Sequence, residues 1–357
     1  MLARPNALPA TMTGVVLTGH GGFECLQYRD DLPTPRPGRG EVVINVHAAG
    51  INNTDINTRT GWYNPSGGWS GDLHFPRIQG ADVSGHIVAV GEGVDPSRLG
   101  ERVVCDPYCR ADDDETGVDS AAFLGSERDG GFAQFCAVPA VNAHVVPDIE
   151  ISDAELATLP CSAGTAMNML LMASVGAGDR VVVTGASGGV GTFLVQIARH
   201  LGADVVAIAS ADKHSALTAL GARVVDRHDP DQAATARAAL GEAPTVVADV
   251  VGGDQFGPLI NSLRPGGRYV TAGAVAGPVV QLDLRTLYLR SLQFFGSAVY
   301  RRDTFPTLMR ILADGGIHPI VHGTWPLERI VDAQRAFLEG RHVGSIVLVP
   351  PPIDSQM

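Results

Sequence analysis

Two patterns of apolar residues follow one another along the chain. Up to residue 159, short apolar or alternating runs are broken by glycine, proline and asparagine, which is typical of an irregular, mostly antiparallel β domain. From residue 160 to 299, continuous apolar runs alternate with amphipathic stretches, which predicts a parallel sheet covered by helices on both faces. The pattern therefore predicts an α/β protein with a β-rich domain and a doubly wound domain.

The second zone contains many more predicted strands and helices than the tail of the chain. The predicted strands of the second zone are 181–184, 204–210, 223–225, 245–251, 268–272 and 293–297. The tail, residues 300–357, has only two predicted helices and one strand, which is too little for an independent core. We therefore expect the tail to pack back on one of the two preceding zones.

A glycine-rich turn follows the first strand of the second zone and opens a predicted helix. The residues after Thr184 and Gly185 fit the Gly-x-Gly-x-x-Gly pattern with alanine in the first slot: Ala186, Ser187, Gly188, Gly189, Val190 and Gly191. Gly188 lets the backbone approach a pyrophosphate, and Gly191 lets the helix pack against the sheet. The helix N-terminus adds N–H groups and a partial positive charge. This context predicts a nicotinamide dinucleotide site of the Rossmann type.

The end of the next strand distinguishes NADPH from NADH. An NAD enzyme usually carries an acid there that binds the ribose 2′-hydroxyl. Here the strand ends in Ser210, which can donate a hydrogen bond to a 2′-phosphate, and Lys213 can neutralise that phosphate. Asp212 is the opposing signal, since a carboxylate repels a phosphate. The local chemistry favours NADPH and leaves NADH open.

Composition and charge exclude several classes of protein. A net charge of −12 and the lack of a basic stripe argue against a nucleic-acid partner. No apolar run is long enough to span a membrane, and residues 1–13 lack a signal-peptide pattern, so we expect a cytoplasmic protein without a membrane partner. The acidic run at 112–115, inside the polar stretch 106–131, is typical of a solvated surface loop.

Short motifs recur along nearly the whole chain. They lie at 48–55, 59–63, 80–85, 90–94, 100–103, 184–191, 264–267 and 344–345. Their order resembles the medium-chain dehydrogenase/reductase superfamily and, within it, the zinc-free quinone oxidoreductase branch. The resemblance implies a GroES-like catalytic domain formed by 1–159 with 300–357, and a Rossmann NAD(P)-binding domain formed by 160–299. It also implies an active site in the cleft between the domains, and a homodimer formed through the edge strand near 291–299.

The residues at the family's zinc positions differ from those of its zinc-dependent members. Those members carry a cysteine where this chain has Asn52, and Gly-His-Glu where it has Gly-Ala-Asp at 80–82. Cys161 alone stands where a third ligand is expected, whereas a catalytic zinc needs three protein ligands. The lobe of the structural zinc has two cysteines, Cys105 and Cys109, instead of four. We therefore predict that the protein binds no zinc.

The predicted lack of zinc limits the reactions that the protein can catalyse. Without a Lewis acid, reduction of an isolated ketone is difficult, whereas hydride addition to an electron-poor alkene spreads its charge onto a conjugated oxygen that hydrogen-bond donors can hold. The implied function is NADPH-dependent reduction of a quinone or an α,β-unsaturated carbonyl compound, a small electrophilic substrate. The open alternatives are a zinc-type alcohol dehydrogenase, an enoyl-thioester reductase of the crotonyl-CoA type, which segment 125–132 resembles, and a protein that binds the cofactor without turnover.

The resemblance also assigns candidate site residues. Asn52 would bond the nicotinamide ribose or the substrate oxygen, Tyr63 would donate to the substrate, and Thr165 would touch the nicotinamide. None of these residues is a strong general acid, so water is the expected proton source. The cofactor residues implied in addition to the turn, Ser210 and Lys213 are Gly273, Ala274, Phe295 and Ser297 near the nicotinamide, and Arg341 at the 2′-phosphate.

Overall fold

The structure, a computed structural model, describes residues 8–63, 73–110 and 121–353, and these residues divide into two compact units. The first unit contains the described residues up to Cys161 and those from Val321 onward, and the second is Ser162–Ile320. The acidic run at 112–115 lies outside the described residues. Within the described ranges, no helix is long and apolar enough to cross a membrane.

Strands dominate the first unit, whereas strands and helices alternate in the second. The strands of the described residues are β1 (Thr11–Leu17), β2 (Leu26–Pro33), β3 (Glu41–Ile51), β4 (Arg77–Ile78), β5 (Ser84–Val90), β6 (Arg102–Cys105), β7 (Tyr108–Cys109), β8 (Ala122–Phe123), β9 (Phe135–Pro139), β10 (Ala143–Val145), β11 (Arg180–Val183), β12 (Asp204–Ala209), β13 (Arg223–Asp226), β14 (Val246–Asp249), β15 (Arg268–Thr271), β16 (Gln293–Gly296), β17 (Val321–Pro326) and β18 (Ser345–Val349). The helices are α1 (Asn53–Thr60), α2 (Asp153–Leu156), α3 (Gly164–Met172), α4 (Gly189–His200), α5 (His214–Ala219), α6 (Gln232–Leu240), α7 (Phe256–Ser262), α8 (Leu284–Leu289), α9 (Thr304–Ala313) and α10 (Ile330–Leu338).

The main sheet of the first unit is built around β3. Its strand order is β10-β6-β5-β3-β18-β17, with β9 also paired to β3, and its pairs are antiparallel apart from β17 with β18. The apolar residues Val42, Val43 and Ile44 of β3 are fully buried in the core of this unit. β18 returns from the far end of the chain and places Val347 opposite Gly50. Asn52 therefore leaves the sheet directly at the end of its central strand.

The second unit contains a six-stranded sheet in which every pair is parallel. Its strand order is β13-β12-β11-β14-β15-β16. Val181, Val182 and Val183 of β11 are fully buried, as expected for a strand in a sheet covered on both faces. The winding direction reverses at β11, because β12 lies on one side of it and β14 on the other. Ligands of such sheets bind beyond the carboxyl ends of the strands at this point. The predicted doubly wound α/β class is confirmed.

The tail is shared between the two units. Residues 300–320 belong to the second unit, whereas the resemblance assigned everything after 299 to the first. The physical reason is α9, which packs against α3 and buries Phe305 and Leu308. The pattern of the chain did not predict β17, because this strand contains a glycine and a proline and has no fully buried position.

Candidate active site

Two of the predicted catalytic residues flank the short helix α1. It begins after Asn52, whose backbone N–H donates to the Asp55 carboxylate at 2.8 Å. It ends at Gly61, whose φ of 72° lies in the left-handed region that favours glycine. Tyr63 follows, and its hydroxyl accepts a hydrogen bond from the side-chain amide of Asn57 at 3.4 Å. Asn52 and Tyr63 are therefore both held against α1.

A buried carboxylate, Asp82, holds the side chain of Asn52. Asn52 Nδ2 donates to Asp82 Oδ2 at 2.9 Å, and the backbone N–H of Cys161 donates to Asp82 Oδ1 at 2.7 Å. Gly50 makes room for this carboxylate, because a Cβ there would lie 2.2 Å from Asp82 Oδ2. Sequence reasoning treated Asp82 only as part of an altered zinc motif and missed it as the partner of Asn52.

Two acids are buried beside Asn52, and burial shifts the pKa of both. Burial, together with the charge of the nearby Asp82 carboxylate, raises the pKa of Asp55 to about 8, against hydrogen bonds from the backbone of Asn52 and Gly80. Burial also raises the pKa of Asp82 to about 7, against the hydrogen bonds from Asn52 and Cys161. Near neutral pH this cluster therefore retains a proton that exposed aspartates would have released.

The hydroxyl of Tyr63 is a neutral hydrogen-bond donor. Burial raises its pKa above the ordinary value, while hydrogen bonds from Asn57 and Thr54 partly offset the effect of burial. A neutral phenol that accepts a hydrogen bond still carries its own O–H donor. The charges of Cys161 and Asp55 also act to raise the pKa of Tyr63.

In the second unit, the glycine-rich turn connects β11 to α4. Gly185 has a φ of 56°, and a Cβ there would lie 2.9 Å from Val250 Cγ2. Gly188 immediately precedes α4 as its N-cap. A Cβ at Gly191 would lie 2.2 Å from the carbonyl oxygen of Gly185, so a side chain there would push the helix off the turn. The first N–H groups of α4 lack partners within the helix, and their binding to a pyrophosphate stays a prediction.

The predicted 2′-phosphate residues follow β12. The N–H of Lys213 donates to the carbonyl oxygen of Ser210 at 3.0 Å. Lys213 is 7% exposed, and burial lowers its pKa, with the charge of Asp212 acting in the opposite direction. Arg227 lies near enough to lower that pKa further, and its N–H donates to the carbonyl oxygen of Ala209 at 2.9 Å. Sequence reasoning missed Arg227, because its position depends on the pairing of β13 with β12.

Two of the side chains predicted to lie near the nicotinamide, those of Thr165 and Ser297, have hydrogen-bond partners within the second unit. Thr165 Oγ1 lies 3.1 Å from the hydroxyl of Tyr300, whose ring is fully buried. Asn168 Nδ2 donates to Ser297 Oγ at 2.8 Å. The other residues predicted there are Gly273 and Ala274, which follow β15, and Phe295, which lies in β16. The structure thus supplies Tyr300 and Asn168 as supports that no local motif indicated.

The structure also defines the surroundings of three further residues from the sequence analysis. Arg341 belongs to the first unit, is exposed and pairs with Glu339. Cys105 and Cys109 are buried, and burial raises the pKa of both thiols. Across 8–63, 73–110 and 121–353, no group of three or more His, Cys, Asp and Glu side chains is arranged to hold a metal ion.

Known proteins match both units of the chain. Residues 38–148 match the alcohol dehydrogenase GroES-like domain, and residues 189–314 match the zinc-binding dehydrogenase family. The chain is 31% identical to an acryloyl-coenzyme A reductase from Metallosphaera sedula, over 94% of this chain and 99% of that protein. The chain belongs to the medium-chain dehydrogenase/reductase family. It is accordingly an NAD(P)-dependent oxidoreductase, and the predicted combination of a GroES-like and a Rossmann-like domain is confirmed.

Two solved structures of the family are similar over nearly the whole chain. One, from Sinorhizobium meliloti and provisionally assigned as an alcohol dehydrogenase, is 46% identical with a TM-score of 0.92, and the match covers 97% of this chain and 98% of that one. The other is the crotonyl-CoA carboxylase/reductase AntE in complex with NADP, 26% identical with a TM-score of 0.84, covering 97% and 96%. Since relatives of both kinds share the fold, the choice of substrate rests on the residues of the site.

Proposed function

We propose that this protein uses NADPH to reduce a quinone or an α,β-unsaturated carbonyl compound without a catalytic zinc. The observation that carries the proposal is the hydrogen bond between Asn52 and Asp82. At the position where the zinc-dependent members supply a thiolate, this chain has an amide whose N–H group is committed to a buried carboxylate. An amide nitrogen is a donor and not a zinc ligand.

The remaining side chains at the family's zinc positions fit the metal poorly. Asp82 receives one hydrogen bond on each carboxylate oxygen, from Asn52 and from the Cys161 N–H. Ala81 is fully buried and has no donor atom in its side chain. The thiol of Cys161 remains, whereas a catalytic zinc needs three protein ligands. This donor set supports a reaction that does not pass through zinc.

The proposed reaction adds a hydride and a proton across a conjugated double bond. Bound NADPH would supply the hydride to the β-carbon of the substrate, and the alkene electron pair would shift onto the carbonyl oxygen. Tyr63 would donate a hydrogen bond to that oxygen, because its phenol is neutral and is held by Asn57. Water would then give a proton to the α-carbon and leave a hydroxide ion to the solvent, so that the saturated carbonyl compound and NADP⁺ are formed.

The proposed preference for NADPH rests on the groups that follow β12 and β13. Ser210 can donate to a 2′-phosphate, and the charges of Lys213 and Arg227 can neutralise it. Asp212 is exposed and opposes a phosphate, and the Ser210 hydroxyl donates to its carboxylate, so Ser210 would have to turn away from Asp212 to meet the phosphate. Two cations against one exposed acid favour the phosphorylated cofactor.

An enoyl thioester is the second candidate substrate. The similarity of nearly the whole chain to an acryloyl-coenzyme A reductase favours it. The same hydride addition applies, because a thioester carbonyl accepts the developing charge as a ketone does. Alcohol oxidation, which the assignment of the S. meliloti structure suggests, needs a polarised C–O bond, and the donor set at Asn52 and Asp82 offers no Lewis acid site for it.

A homodimer formed through β16 is also proposed. This strand lies at the edge of the six-stranded sheet, and the preceding helix α8 exposes Leu284, Tyr288 and Leu289 to solvent. An open strand edge beside exposed apolar side chains favours pairing with a second copy. Light scattering of the purified protein should give the mass of two chains, and Leu289→Lys should lower it.

The function is tested by following NADPH and NADH oxidation with benzoquinone, methyl vinyl ketone, crotonyl-CoA and acetone, with zinc measured in the same preparation. We expect turnover of a conjugated acceptor, none of acetone, and far less than one zinc per chain. Dialysis against a chelator should leave the rate unchanged. One zinc per chain that is lost together with activity would overturn the zinc-free mechanism. No turnover of any conjugated acceptor would overturn the substrate class.

A further inference from the structure

Asp249 is a buried acid at the carboxyl end of β14 and is 1% exposed. Thr184 Oγ1 donates to its Oδ1 atom at 2.5 Å, and the hydroxyl of Tyr269 donates to its Oδ2 atom at 2.6 Å. The N–H groups of Val251 and Gly252 donate to the same carboxylate at 2.8 and 3.2 Å. One side chain thus ties β14 to both neighbouring strands, since Thr184 follows β11 and Tyr269 lies in β15.

Thr184 connects this carboxylate to the phosphate turn. Its hydroxyl donates to Asp249 and also accepts a hydrogen bond from the N–H of Val250 at 3.1 Å. Gly185, the next residue, lies against the same loop, because a Cβ there would be 2.9 Å from Val250 Cγ2 and 3.2 Å from Val251 Cγ2. The place of the turn above the sheet therefore depends on the loop 250–252, which Asp249 fixes.

The same loop also contacts the segment that follows β15. The N–H of Ala276 donates to the carbonyl oxygen of Val251 at 2.8 Å, and the N–H of Gly253 donates to that of Gly277 at 3.2 Å. A Cβ at Gly273 would lie 3.0 Å from the carbonyl oxygen of Val250. The loop after β14 therefore lies between the phosphate turn and the segment expected near the nicotinamide, and it contacts both.

We propose that Asp249 is a positioning residue for the dinucleotide, acting through the hydroxyl of Thr184 to set the place of the phosphate turn. Both side chains are buried, so they would act through the position of the turn and not through direct contact with the cofactor. Loss of the Thr184 hydroxyl leaves the partly buried N–H of Val250 without this acceptor and leaves Asp249 with one donor fewer, and the loop must rearrange. The inference rests on dinucleotide binding at the turn and not on the proposed substrate class.

The test compares Thr184→Val, which removes the hydroxyl at nearly constant volume, with Thr184→Ser, which retains it, both in the full-length protein. Calorimetry measures the Kd of NADPH and the Kd of adenosine 2′-monophosphate, which has no pyrophosphate to meet the turn. We expect Thr184→Val to raise the Kd of NADPH about fivefold to tenfold, as for the loss of one or two hydrogen bonds. The Kd of adenosine 2′-monophosphate should stay within about twofold of the wild-type value, and Thr184→Ser should restore NADPH binding.

Tyr269→Phe is the matched control, because it removes a donor from the other carboxylate oxygen, on the side of β15. It should change the Kd of NADPH by less than about threefold. If Thr184→Val does not fold, Asp249→Asn serves as the test variant in its place. We then expect the same selective loss of NADPH binding. Equal weakening of both ligands, or wild-type binding of NADPH by these variants, would overturn the inference. A wild-type protein that binds NADPH but reduces no conjugated acceptor contradicts the proposed function alone.

Discussion

Asp82 accepts a hydrogen bond from the side-chain amide of Asn52 at 2.9 Å, and both side chains are almost completely buried. The backbone N–H of Cys161 donates a hydrogen bond to the other carboxylate oxygen of Asp82 at 2.7 Å. A buried acid that has a donor on each oxygen is satisfied without a metal or a cationic partner. The pair should therefore behave as one unit, in which neither residue can be changed independently of the other.

Exchange of the two side chains should reveal this coupling. Asp82→Asn sets an N–H group against that of Asn52 or Cys161, and Asn52→Asp sets two carboxyl groups together, so each substitution alone should destabilise the protein. The double variant N52D/D82N again places a donor opposite an acceptor. Urea unfolding of the four proteins should give a favourable coupling free energy of about 1–3 kcal/mol in the double-mutant cycle.

The control for this cycle combines Asn52→Asp with Asp153→Asn. Asp153 pairs with Arg102 and His47, and not with Asn52. The effects of these two substitutions on the free energy of unfolding should therefore add. If N52D/D82N is also merely additive, the hydrogen bond between the two side chains has no measurable role in stability.

Tyr63→Phe should slow the reaction while leaving cofactor binding intact. The phenol is the proposed donor to the substrate oxygen, and its removal should lower kcat about tenfold to a hundredfold, with a smaller effect on the KM for NADPH. Trp62→Phe is a suitable control, because Trp62 packs edge-on against Tyr63 with ring centroids 5.3 Å apart, and phenylalanine keeps an aromatic ring there. Steady-state kinetics of both variants check the prediction, and an unchanged kcat in Tyr63→Phe would assign the donor role to another group.

The fold of the second unit could be predicted because its signals are local. Its strands are continuous apolar runs such as Val181 to Val183, and an amphipathic helix follows most of them. The turn from Gly185 to Gly191 was located for the same reason, since it stands between one such strand and one such helix. Neighbouring residues alone therefore determined the class of the fold and the place of the expected cofactor turn.

The supports of the site could not be predicted, because they join residues that are distant in sequence. Asn52 and Asp82 are 30 positions apart, and Thr184 and Asp249 are 65 positions apart. Arg227 comes near Lys213 only because β13 pairs with β12. The division of the tail at residue 320 follows likewise from the packing of α9 on α3. Such contacts are properties of the assembled core and leave no periodic trace in the chain.

The contribution of Asp55 to stability should decrease as pH rises from about 4 to about 8, and the buried Asp82 should act in the same direction. Burial raises the pKa of Asp55 to about 8, whereas an aspartate in an unfolded chain titrates at about 4. Between these values the folded state holds a proton that the unfolded state has released, so the free energy of unfolding falls with pH, by at most about 1.4 kcal/mol per pH unit for this group. The contribution is complete below pH 4 and lost above pH 8.

Urea unfolding between pH 5 and 9 measures this slope. Asp55→Asn removes one of these titrations and should reduce the slope, while Asp31→Asn should not, because the neighbouring Arg29 lowers the pKa of Asp31 and that group stays ionised throughout this range. A slope that persists unchanged in Asp55→Asn would show that Asp55 does not retain its proton on folding.

Substitution of two glycines of the turn should affect different properties, with Gly191→Ala lowering stability and Gly188→Ala weakening cofactor binding. A Cβ at Gly191 would lie 2.2 Å from the carbonyl oxygen of Gly185 and 2.5 Å from the Cα of Ala186, so Gly191→Ala should destabilise the protein by about 1–3 kcal/mol. At Gly188, φ is −75° and a Cβ would come no closer than 3.6 Å to the Gly185 carbonyl oxygen. Gly188→Ala should therefore keep the wild-type Tm.

The same Gly188→Ala protein should bind NADPH at least about tenfold more weakly, because its methyl group would stand where the pyrophosphate is expected to meet the backbone. Calorimetry provides both quantities, as Tm by scanning and as Kd by titration. Wild-type affinity in Gly188→Ala would mean that the pyrophosphate does not approach this residue. A Gly191→Ala protein with normal Tm would in turn contradict the close approach of α4 to the turn, on which the geometry of the whole cofactor site depends.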